Sequence, residues 1–236
     1  LIGGVLLASA RLLGAAGPFG MAAVAASGAG LNGVAALIGA AIGYIISCGL
    51  AGSIRYLAAI VLVYTISFAF QDTKFASKSV FAPATAAVSA LSTGILSSFT
   101  SVFTQAPAAA VVLIETVFSF GGCWFFREAM SGRERTTESE ELRYAGSVLI
   151  TAAVLLMAVS QIEIFGAISL GRLVAVLIVM TCTLRCGIMT GCTIGTAFGI
   201  AMDLTAGGMP FYTMAYAFAG LLSGMFNRHG RLLFLL

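Results

Sequence analysis

Glycine recurs at every fourth position in one stretch of the chain, and this spacing restricts the fold more than any other feature. The glycines are Gly187, Gly191, Gly195 and Gly199, and the next step of four reaches Asp203. On an α-helix, residues four apart form a ridge, and a ridge without side chains is a groove that a second helix can approach closely. In water each glycine would cost about 1 kcal/mol relative to alanine. In lipid, helices associate by such close backbone packing, so the stretch predicts a membrane helix in tight contact with a neighbour.

The composition supports a polytopic membrane protein. Of the 236 residues, 60% are hydrophobic and 9% are charged, whereas soluble domains carry about 25% charged residues. The net charge of +3 is small and scattered, which argues against nucleic acid as a partner. We therefore predict an all-α fold, a polytopic transmembrane helix bundle over residues 1–236, with the lipid bilayer as its surroundings.

Apolar segments follow one another at about the 20-residue spacing that a membrane-crossing helix requires. The sequence predicts about nine or ten of them, with the count open near residues 10–30, where the run 19–27 is short for a full span. Ten segments are complete or nearly so: 1–16, 19–27, 31–49, 56–70, 80–103, 106–126, 144–160, 164–184, the glycine ridge from 187, and 209–226. A further apolar run begins at 232. Because the chain begins at Leu1 and stops inside an apolar run, we expect it to be a piece of a longer protein.

A hydrophilic stretch at residues 127–143, with four arginines and five glutamates, divides the apolar segments into two groups. If this loop is cytoplasmic, nine of the twelve basic residues fall on the cytoplasmic side. The excess of Lys and Arg in cytoplasmic loops therefore predicts that the loop and the end of the chain face the cytoplasm. A solvated surface loop is the simplest interpretation, with a partner site in its Glu-rich half as the alternative.

Two further glycine pairs have the spacing of close helix contacts. Gly39 and Gly43 form one Gly-x-x-x-Gly pair, and Gly220 and Gly224 form the other. Such pairs allow helix backbones to approach each other in a membrane. We expect them either to pack the bundle or to join two copies of the chain into a homo-oligomer.

Arg11, Glu115 and Asp203 are the charged residues that the sequence places deepest in apolar segments. Inserting such a residue at the centre of a membrane helix costs roughly 2.5–3.5 kcal/mol, so each should face protein or water. One interpretation is a proton or ion path. The other is an Arg11–Glu115 or Arg11–Asp203 pair that fixes how the helices dock. The small number of acidic residues favours the structural interpretation.

Residue patterns for catalysis or metal binding are absent from the sequence. The single histidine, His229, lies in a basic turn without a nucleophile partner. The five cysteines lie within apolar runs and have no zinc-ligand spacing. A Gly-x-x-x-x-Gly-Lys phosphate loop is also missing. We therefore predict no catalytic residue, no metal site and no cofactor for this chain.

Four stretches, taken in order, carry a resemblance to a known family. They are RLLG with GPFGMA at 11–22, the mid-span Glu115 followed by an aromatic-rich end and Arg127, EEL with ISLGR at 140–172, and the glycine ridge followed by YTMAYAFAGLLSGMF at 212–226. The chain resembles the N-terminal membrane region of the stage II sporulation protein E family, the sporulation phosphatases of endospore-forming bacteria. The likeness covers nearly the whole chain.

The resemblance implies a multi-span anchor in the bacterial cell membrane, located at the asymmetric septum during sporulation. In the family, a cytoplasmic region follows that self-associates and contacts division proteins. A Mn- or Mg-dependent serine/threonine phosphatase domain comes next, and it dephosphorylates an anti-sigma-factor antagonist so that a forespore sigma factor becomes active. This chain has no position that matches the phosphatase residues. The alternative function is a small-solute or ion transporter or channel that uses Arg11, Glu115 and Asp203.

Overall fold

The computed structural model describes residues 1–12, 14, 16–74, 76, 78–99, 109–132, 136–164, 168–206 and 209–227. In this part of the chain the structure is helical apart from one short antiparallel strand pair, which confirms the all-α class. The helices are α1 (Ile2–Ser9), α2 (Pro18–Ser27), α3 (Leu31–Ala69), α4 (Phe81–Phe99), α5 (Ala109–Met130), α6 (Glu138–Val159), α7 (Leu170–Cys186), α8 (Ile188–Ala206) and α9 (Phe211–Asn227), and the strands between α6 and α7 are β1 (Glu163–Ile164) and β2 (Ile168–Ser169).

The chain divides into two compact units. The first comprises Leu1–Arg11 and Ala15–Thr151, and the second comprises Leu12–Gly14 and Ala152–Leu236. In the first unit, α1 and α2 pack on α3, and α2 and α4 pack on α5. In the second, α8 packs closely on α9, and α7 contacts both.

Four helices of the described residues, α3, α5, α6 and α8, are long and apolar enough to cross a membrane. These helices are those of a membrane protein, but the predicted count of nine or ten spans is not supported. Helices α1 and α2 have 8 and 10 residues, so they rise about 12 and 15 Å against a hydrocarbon core of about 30 Å. Helices α7 and α9 have 17 residues each, which is the lower end of the length range of membrane-crossing helices.

Helix α3 is a hairpin of two helical halves. At its middle, Gly49 has φ 68° and ψ 173°, a backbone conformation that is essentially restricted to glycine. The rings of Tyr44 and Tyr56 stack with centroids 4.8 Å apart, whereas residues twelve apart on a straight helix would be about 18 Å apart. At the open end, the Tyr64 hydroxyl donates to the Ala29 carbonyl at 3.3 Å. The halves 31–48 and 50–69 therefore run antiparallel, and they correspond to the segments predicted at 31–49 and 56–70.

Helix α2 is enclosed by its neighbours. Its residues from Pro18 to Ala25 are all buried, and Pro18 stands in its first turn, where a missing N–H costs nothing. Alanine and glycine predominate in its sequence, and they let α3 and α5 approach it closely. At Gly122 of α5, for example, a Cβ would lie only 3.3 Å from the Cβ of Ala22. The short segment predicted at 19–27 is therefore a helix with almost no surface left for lipid.

Several predicted boundaries differ from the structure. Helix α6 begins at Glu138 rather than at 144, since the acidic residues of its first turn favour a helix N-terminus. Helix α5 continues to Met130, so helices occupy both ends of the hydrophilic stretch 127–143. The segment predicted from 164 begins as a helix only at Leu170, because β1 and β2 pair before it. Residues 133–135 of the loop, and the basic turn and apolar run from 228 onwards, lie outside the described residues.

Candidate functional site

A buried polar cluster in the first unit is formed around Glu115 of α5. The Glu115 side chain is 0% exposed. Its Oε1 accepts a hydrogen bond from the Tyr56 hydroxyl at 2.6 Å and one from the Gly17 backbone N–H at 3.3 Å. Its Oε2 accepts from the guanidinium of Arg55 in an ion pair. Both carboxylate oxygens are thus bound by protein groups.

Two tyrosines from opposite halves of the α3 hairpin form one wall of this cluster. The rings of Tyr44 and Tyr56 stack at an interplanar angle of 12°. The guanidinium carbon of Arg55 lies 5.2 Å from the centroid of the Tyr56 ring, within the range of a cation–π interaction. The reversal at Gly49 brings these residues together, because it places the end of one half beside the start of the other.

Tyr44 binds two backbone groups in the first turn of α2. Its hydroxyl donates to the Gly17 carbonyl at 2.5 Å and accepts from the Met21 N–H at 3.2 Å. In a regular helix the Met21 N–H would donate to the Gly17 carbonyl. Here the Tyr44 hydroxyl binds both of these groups instead. Ser119 of α5 adds a hydrogen bond from its hydroxyl to the Pro18 carbonyl at 3.2 Å. Side chains from α3 and α5 therefore hold the beginning of α2.

The negative charge of Glu115 lies where the electrostatics of α2 favour it. The first N–H groups of a helix have no partner within the helix and carry a partial positive charge. Glu115 accepts from Gly17, the residue immediately before α2. Breaking a buried pair such as Arg55–Glu115 by removing one partner costs about 3–5 kcal/mol, because the other charge is left without compensation. The arrangement can therefore fix the position of α2 against α3 and α5.

Arg11 does not form the predicted pair with Glu115, and Asp203, its other predicted partner, belongs to the second unit. The Arg11 guanidinium donates to the Ser47 backbone carbonyl, close to the reversal of α3. Arg55, which lies between the predicted segments 31–49 and 56–70, pairs with Glu115 instead. The reason is geometric, since Arg55 lies within two turns of Gly49 and the hairpin directs that part of α3 towards α5.

Asp203 holds the start of α9 in the second unit. Its Oδ1 accepts from the Tyr212 N–H at 2.9 Å, and its Oδ2 accepts from the Thr213 N–H at 2.9 Å and the Thr213 hydroxyl at 2.6 Å. This is the role of an N-cap, supplied here by a neighbouring helix. Asp203 therefore serves an adjacent backbone and, in the described part of the chain, has no arginine or lysine within ion-pair distance.

The glycine ridge of α8 packs against α9. A Cβ at Gly195 would lie 2.8 Å from the Tyr216 carbonyl carbon, and a Cβ at Gly199 would lie 2.6 Å from the Tyr212 oxygen. These distances are far below the 3.5–4.0 Å of normal carbon contacts. The two backbones therefore approach to a distance that a side chain at these positions would prevent.

Three other glycines of α8 and α9 contribute to packing in the second unit. Gly220 of α9 faces α8, because its Cβ would lie 2.7 Å from the carbonyl oxygen of Gly191. Gly224 faces Ile188, whose Cβ would be 3.0 Å away. Gly191 itself lies against Thr183 of α7, with 2.8 Å between the two Cβ positions.

Gly187 does not belong to this packing ridge. It has φ 94° and ψ 173° and lies between α7 and α8, and a Cβ there would meet nothing within 4 Å. Its conformation resembles that of Gly49, and it has the same role of reversing the chain between two helices.

Gly39 and Gly43 pack within the first unit. A Cβ at Gly39 would lie 3.2 Å from the backbone nitrogen of Val5 in α1, and a Cβ at Gly43 would lie 2.5 Å from the Val5 oxygen. This pair therefore receives α1 rather than presenting an open surface.

Sequence reasoning missed Arg55, Tyr44 and Tyr56 as members of the cluster. The available signal was their position on either side of Cys48-Gly49, combined with a helical run too long for one span.

Among the described residues, His, Cys, Asp and Glu side chains form no group of three that could hold a metal ion. Searches with the whole sequence and structure found no matching family model, no similar curated protein and no similar solved structure.

Proposed function

We propose that this chain is the membrane-anchoring and localisation domain of a sporulation protein phosphatase. It would hold the enzyme at the asymmetric septum, with the end of the chain on the cytoplasmic side and the catalytic domain beyond it. That domain would require Mn or Mg, and this chain itself would carry no catalysis. Contacts with division proteins would lie in the cytoplasmic region that follows.

The observation that carries this proposal is that the acidic residues of the apolar helices are bound to protein. Both carboxylate oxygens of Glu115 accept hydrogen bonds, and so do both of Asp203. A carboxylate that relays ions must exchange partners during transport, whereas these groups fix helix termini. This arrangement favours a rigid anchor over the alternative of a transporter or channel.

The ordered resemblance to the stage II sporulation protein E membrane region supplies the biological context. Its first stretch, residues 11–22, includes Gly17 and Met21, which bind Tyr44. Its second stretch begins at Glu115. The likeness therefore includes residues of the polar cluster, although Tyr44 and Arg55 lie outside the quoted stretches.

The location can be tested with a fluorescent protein fused to the C-terminal end and expressed in an endospore-forming bacterium. Because the proposal assigns localisation to this domain itself, the fusion should concentrate at the asymmetric septum when sporulation begins, even without the cytoplasmic region that contacts division proteins, and should stay dispersed in the membrane during vegetative growth. An intact fusion that remains evenly distributed during sporulation would contradict the proposal.

A second experiment separates the anchor from the transporter. We expect Glu115→Leu alone to reduce the amount of folded protein, because it leaves Arg55 buried without its partner. The double variant Arg55→Leu with Glu115→Gln should recover abundance and septal location, because it removes both buried charges and keeps a side-chain oxygen that can accept from Tyr56 and Gly17. A transporter that depends on Glu115 would fold in this double variant but lose its flux.

The exposed ion pair of Arg143 and Glu128 provides the matched control. Its nitrogen–oxygen distance is 3.2 Å, and the side chains are 56% and 26% exposed. Exposed pairs contribute about 0–1 kcal/mol, so Arg143→Gln and Glu128→Gln should each leave abundance and location unchanged. A double variant at Arg55 and Glu115 that folds and still fails to reach the septum would refute a purely structural role for the pair.

A further inference from the structure

The polar cluster of the first unit contains more positive than negative charge. Arg11 and Arg55 each bind near the reversed end of α3, and Glu115 supplies a carboxylate to one of them, Arg55. Among the described residues of the first unit, no carboxylate lies within ion-pair distance of Arg11. Arg11 therefore brings a positive charge to this end of the unit that no described side chain balances.

The position of Arg11 corresponds to the depth of lipid headgroups. Its guanidinium binds the carbonyl of Ser47, two residues before the reversal at Gly49. Each half of the α3 hairpin rises about 27–30 Å, which is close to the thickness of the hydrocarbon core. A hairpin of this length that enters from one face therefore places its reversal, and Arg11 beside it, at the opposite surface.

The guanidinium of Arg11 also has unused donor capacity. Its Nε is buried and has no hydrogen-bond partner, so an external ligand would bind the two terminal nitrogens of this partly buried residue, one of which also donates to Ser47. Guanidinium offers five N–H donors in a planar fork. This fork matches two oxygens of a phosphate group, and such charge-assisted bonds are among the stronger hydrogen bonds in proteins.

Arg172 in the second unit provides a contrast. Its Nε is likewise buried without a partner, but its guanidinium carbon lies 4.7 Å from the centroid of the Tyr212 ring. An aromatic face therefore offsets part of its charge. Among the described residues, no aromatic ring lies against the Arg11 guanidinium in this way.

We propose that Arg11 binds a phosphate group at the reversed end of α3, supplied either by an anionic phospholipid headgroup or by free phosphate. The assignment concerns a ligand of the membrane fold itself. It goes beyond anchoring and does not depend on which domain follows the chain.

The test uses the full chain purified in a maltoside detergent, which contains no phosphate. Thermal unfolding is followed by the fluorescence of Trp124, the single tryptophan, during titration with phosphatidylglycerol, a neutral glycolipid or inorganic phosphate. A ligand that binds the folded state raises the unfolding midpoint in proportion to its occupancy. We expect phosphatidylglycerol to raise the midpoint of the unmodified chain and the glycolipid to leave it unchanged.

Substitutions then assign the effect to the residue. Arg11→Gln should weaken the apparent affinity for phosphatidylglycerol about tenfold, the usual scale for losing hydrogen bonds to a charged group. The control Arg172→Gln should respond as the unmodified chain does. If Arg11→Gln does not fold, Arg11→Lys keeps the charge without the planar fork and should weaken binding about threefold.

The outcomes distinguish the two sources of phosphate. An Arg11-dependent shift with phosphatidylglycerol alone identifies the lipid headgroup, and an equal Arg11-dependent shift with inorganic phosphate identifies a free anion. An equal shift with the glycolipid, or an unchanged response in the Arg11 variants, overturns the proposal. None of these results bears on septal location, so failure here is separable from failure of the anchor function.

Discussion

At the scale of single residues, the hydroxyl of Tyr44 connects helix α3 to helix α2. Tyr44 is fully buried, and its hydroxyl binds the carbonyl of Gly17 and the N–H of Met21. A buried hydroxyl needs such partners. The two backbone groups need the hydroxyl equally, because it takes the place of the hydrogen bond that they would make with each other in a regular helix. One side chain satisfies both requirements here.

We predict that Tyr44→Phe destabilises the protein by about 1–3 kcal/mol, the cost of leaving buried polar groups without partners. Tyr64→Phe is the matched control, because the Tyr64 hydroxyl makes one partly buried bond of 3.3 Å to Ala29. The control Tyr64→Phe should therefore lower the free energy of unfolding by no more than about 1 kcal/mol. Unfolding in mixed detergent micelles provides the measurement, and equal losses for both variants would contradict the bridging role of Tyr44.

Sequence alone could identify charged residues in apolar runs but not their partners. Glu115 and Asp203 stand out because each carries a charge within a predicted membrane segment. The partner of Glu115 depends on the reversal at Gly49, which brings Arg55 to α5 from a position 60 residues earlier in the chain. The partners of Asp203 are mainly backbone N–H groups, and these have no signature in the residue pattern.

At the scale of helices, two single glycines each reverse the direction of the chain between one helical segment and the next. Gly49 connects the halves of α3, and Gly187 connects α7 to α8, both with positive φ and ψ 173°. Each is preceded by a cysteine, Cys48 or Cys186. A one-residue connection leaves no loop to adjust, so the geometry of each helix pair depends on the conformational freedom of one glycine.

We predict that Gly49→Ala destabilises the α3 hairpin by about 1–3 kcal/mol, because alanine does not tolerate this backbone conformation. Gly52→Ala is the control within the same helix. A Cβ at Gly52 would make an ordinary contact of 3.4 Å with Cys48, so this change should be neutral or stabilise by up to about 1 kcal/mol. Thermal unfolding of the purified variants measures both, and a harmless Gly49→Ala would argue against the reversal.

The glycine ridge supports a prediction about the pair α8 and α9. Gly195→Ala should destabilise by about 1–3 kcal/mol, the usual cost of adding a carbon to a filled contact, because the new Cβ would meet the backbone of Tyr216. Gly146→Ala in α6 is the control, since a Cβ there has nothing within 4 Å. The comparison is again made by unfolding, and similar stabilities for the two variants would show that the contact can relax.

The spacing of the glycines at every fourth residue indicated close helix packing, but it did not indicate which of the glycines take part. Gly191, Gly195 and Gly199 lie within α8, whereas Gly187 adopts a non-helical conformation before it. A periodic pattern cannot distinguish a helix glycine from a turn glycine at the end of the same series. The enclosure of α2 was also not predicted, because hydropathy does not distinguish a short apolar helix that other helices surround from one that faces lipid.

The distribution of basic residues gives a testable orientation at the scale of the whole molecule. With residues 127–143 in the cytoplasm, the connection between α7 and α8 also faces the cytoplasm. Cys186 is exposed beside that connection. In a variant whose other cysteines (Cys48, Cys123, Cys182 and Cys192) are replaced by alanine, we expect a membrane-impermeant maleimide to modify Cys186 in inside-out vesicles and not in intact cells.

Permeabilised cells provide the positive control for this labelling, because the reagent then reaches both faces of the membrane. Labelling of Cys186 in intact cells would reverse the predicted orientation. It would also place residues 127–143 outside, where their four arginines would run against the usual charge bias.

The enclosure of α2 has a consequence for the order of events during synthesis. Glu115, which binds the N–H of Gly17, follows it by 98 residues. At 5–20 residues per second, the ribosome needs about 5–20 s to add that length of chain. During this interval α3 can already pack on α2, but this helix, which is too short to span the membrane, still lacks the contacts that α5 later provides. The nascent protein must therefore shelter α2 until α5 arrives, and slow synthesis between these two helices would prolong its exposure.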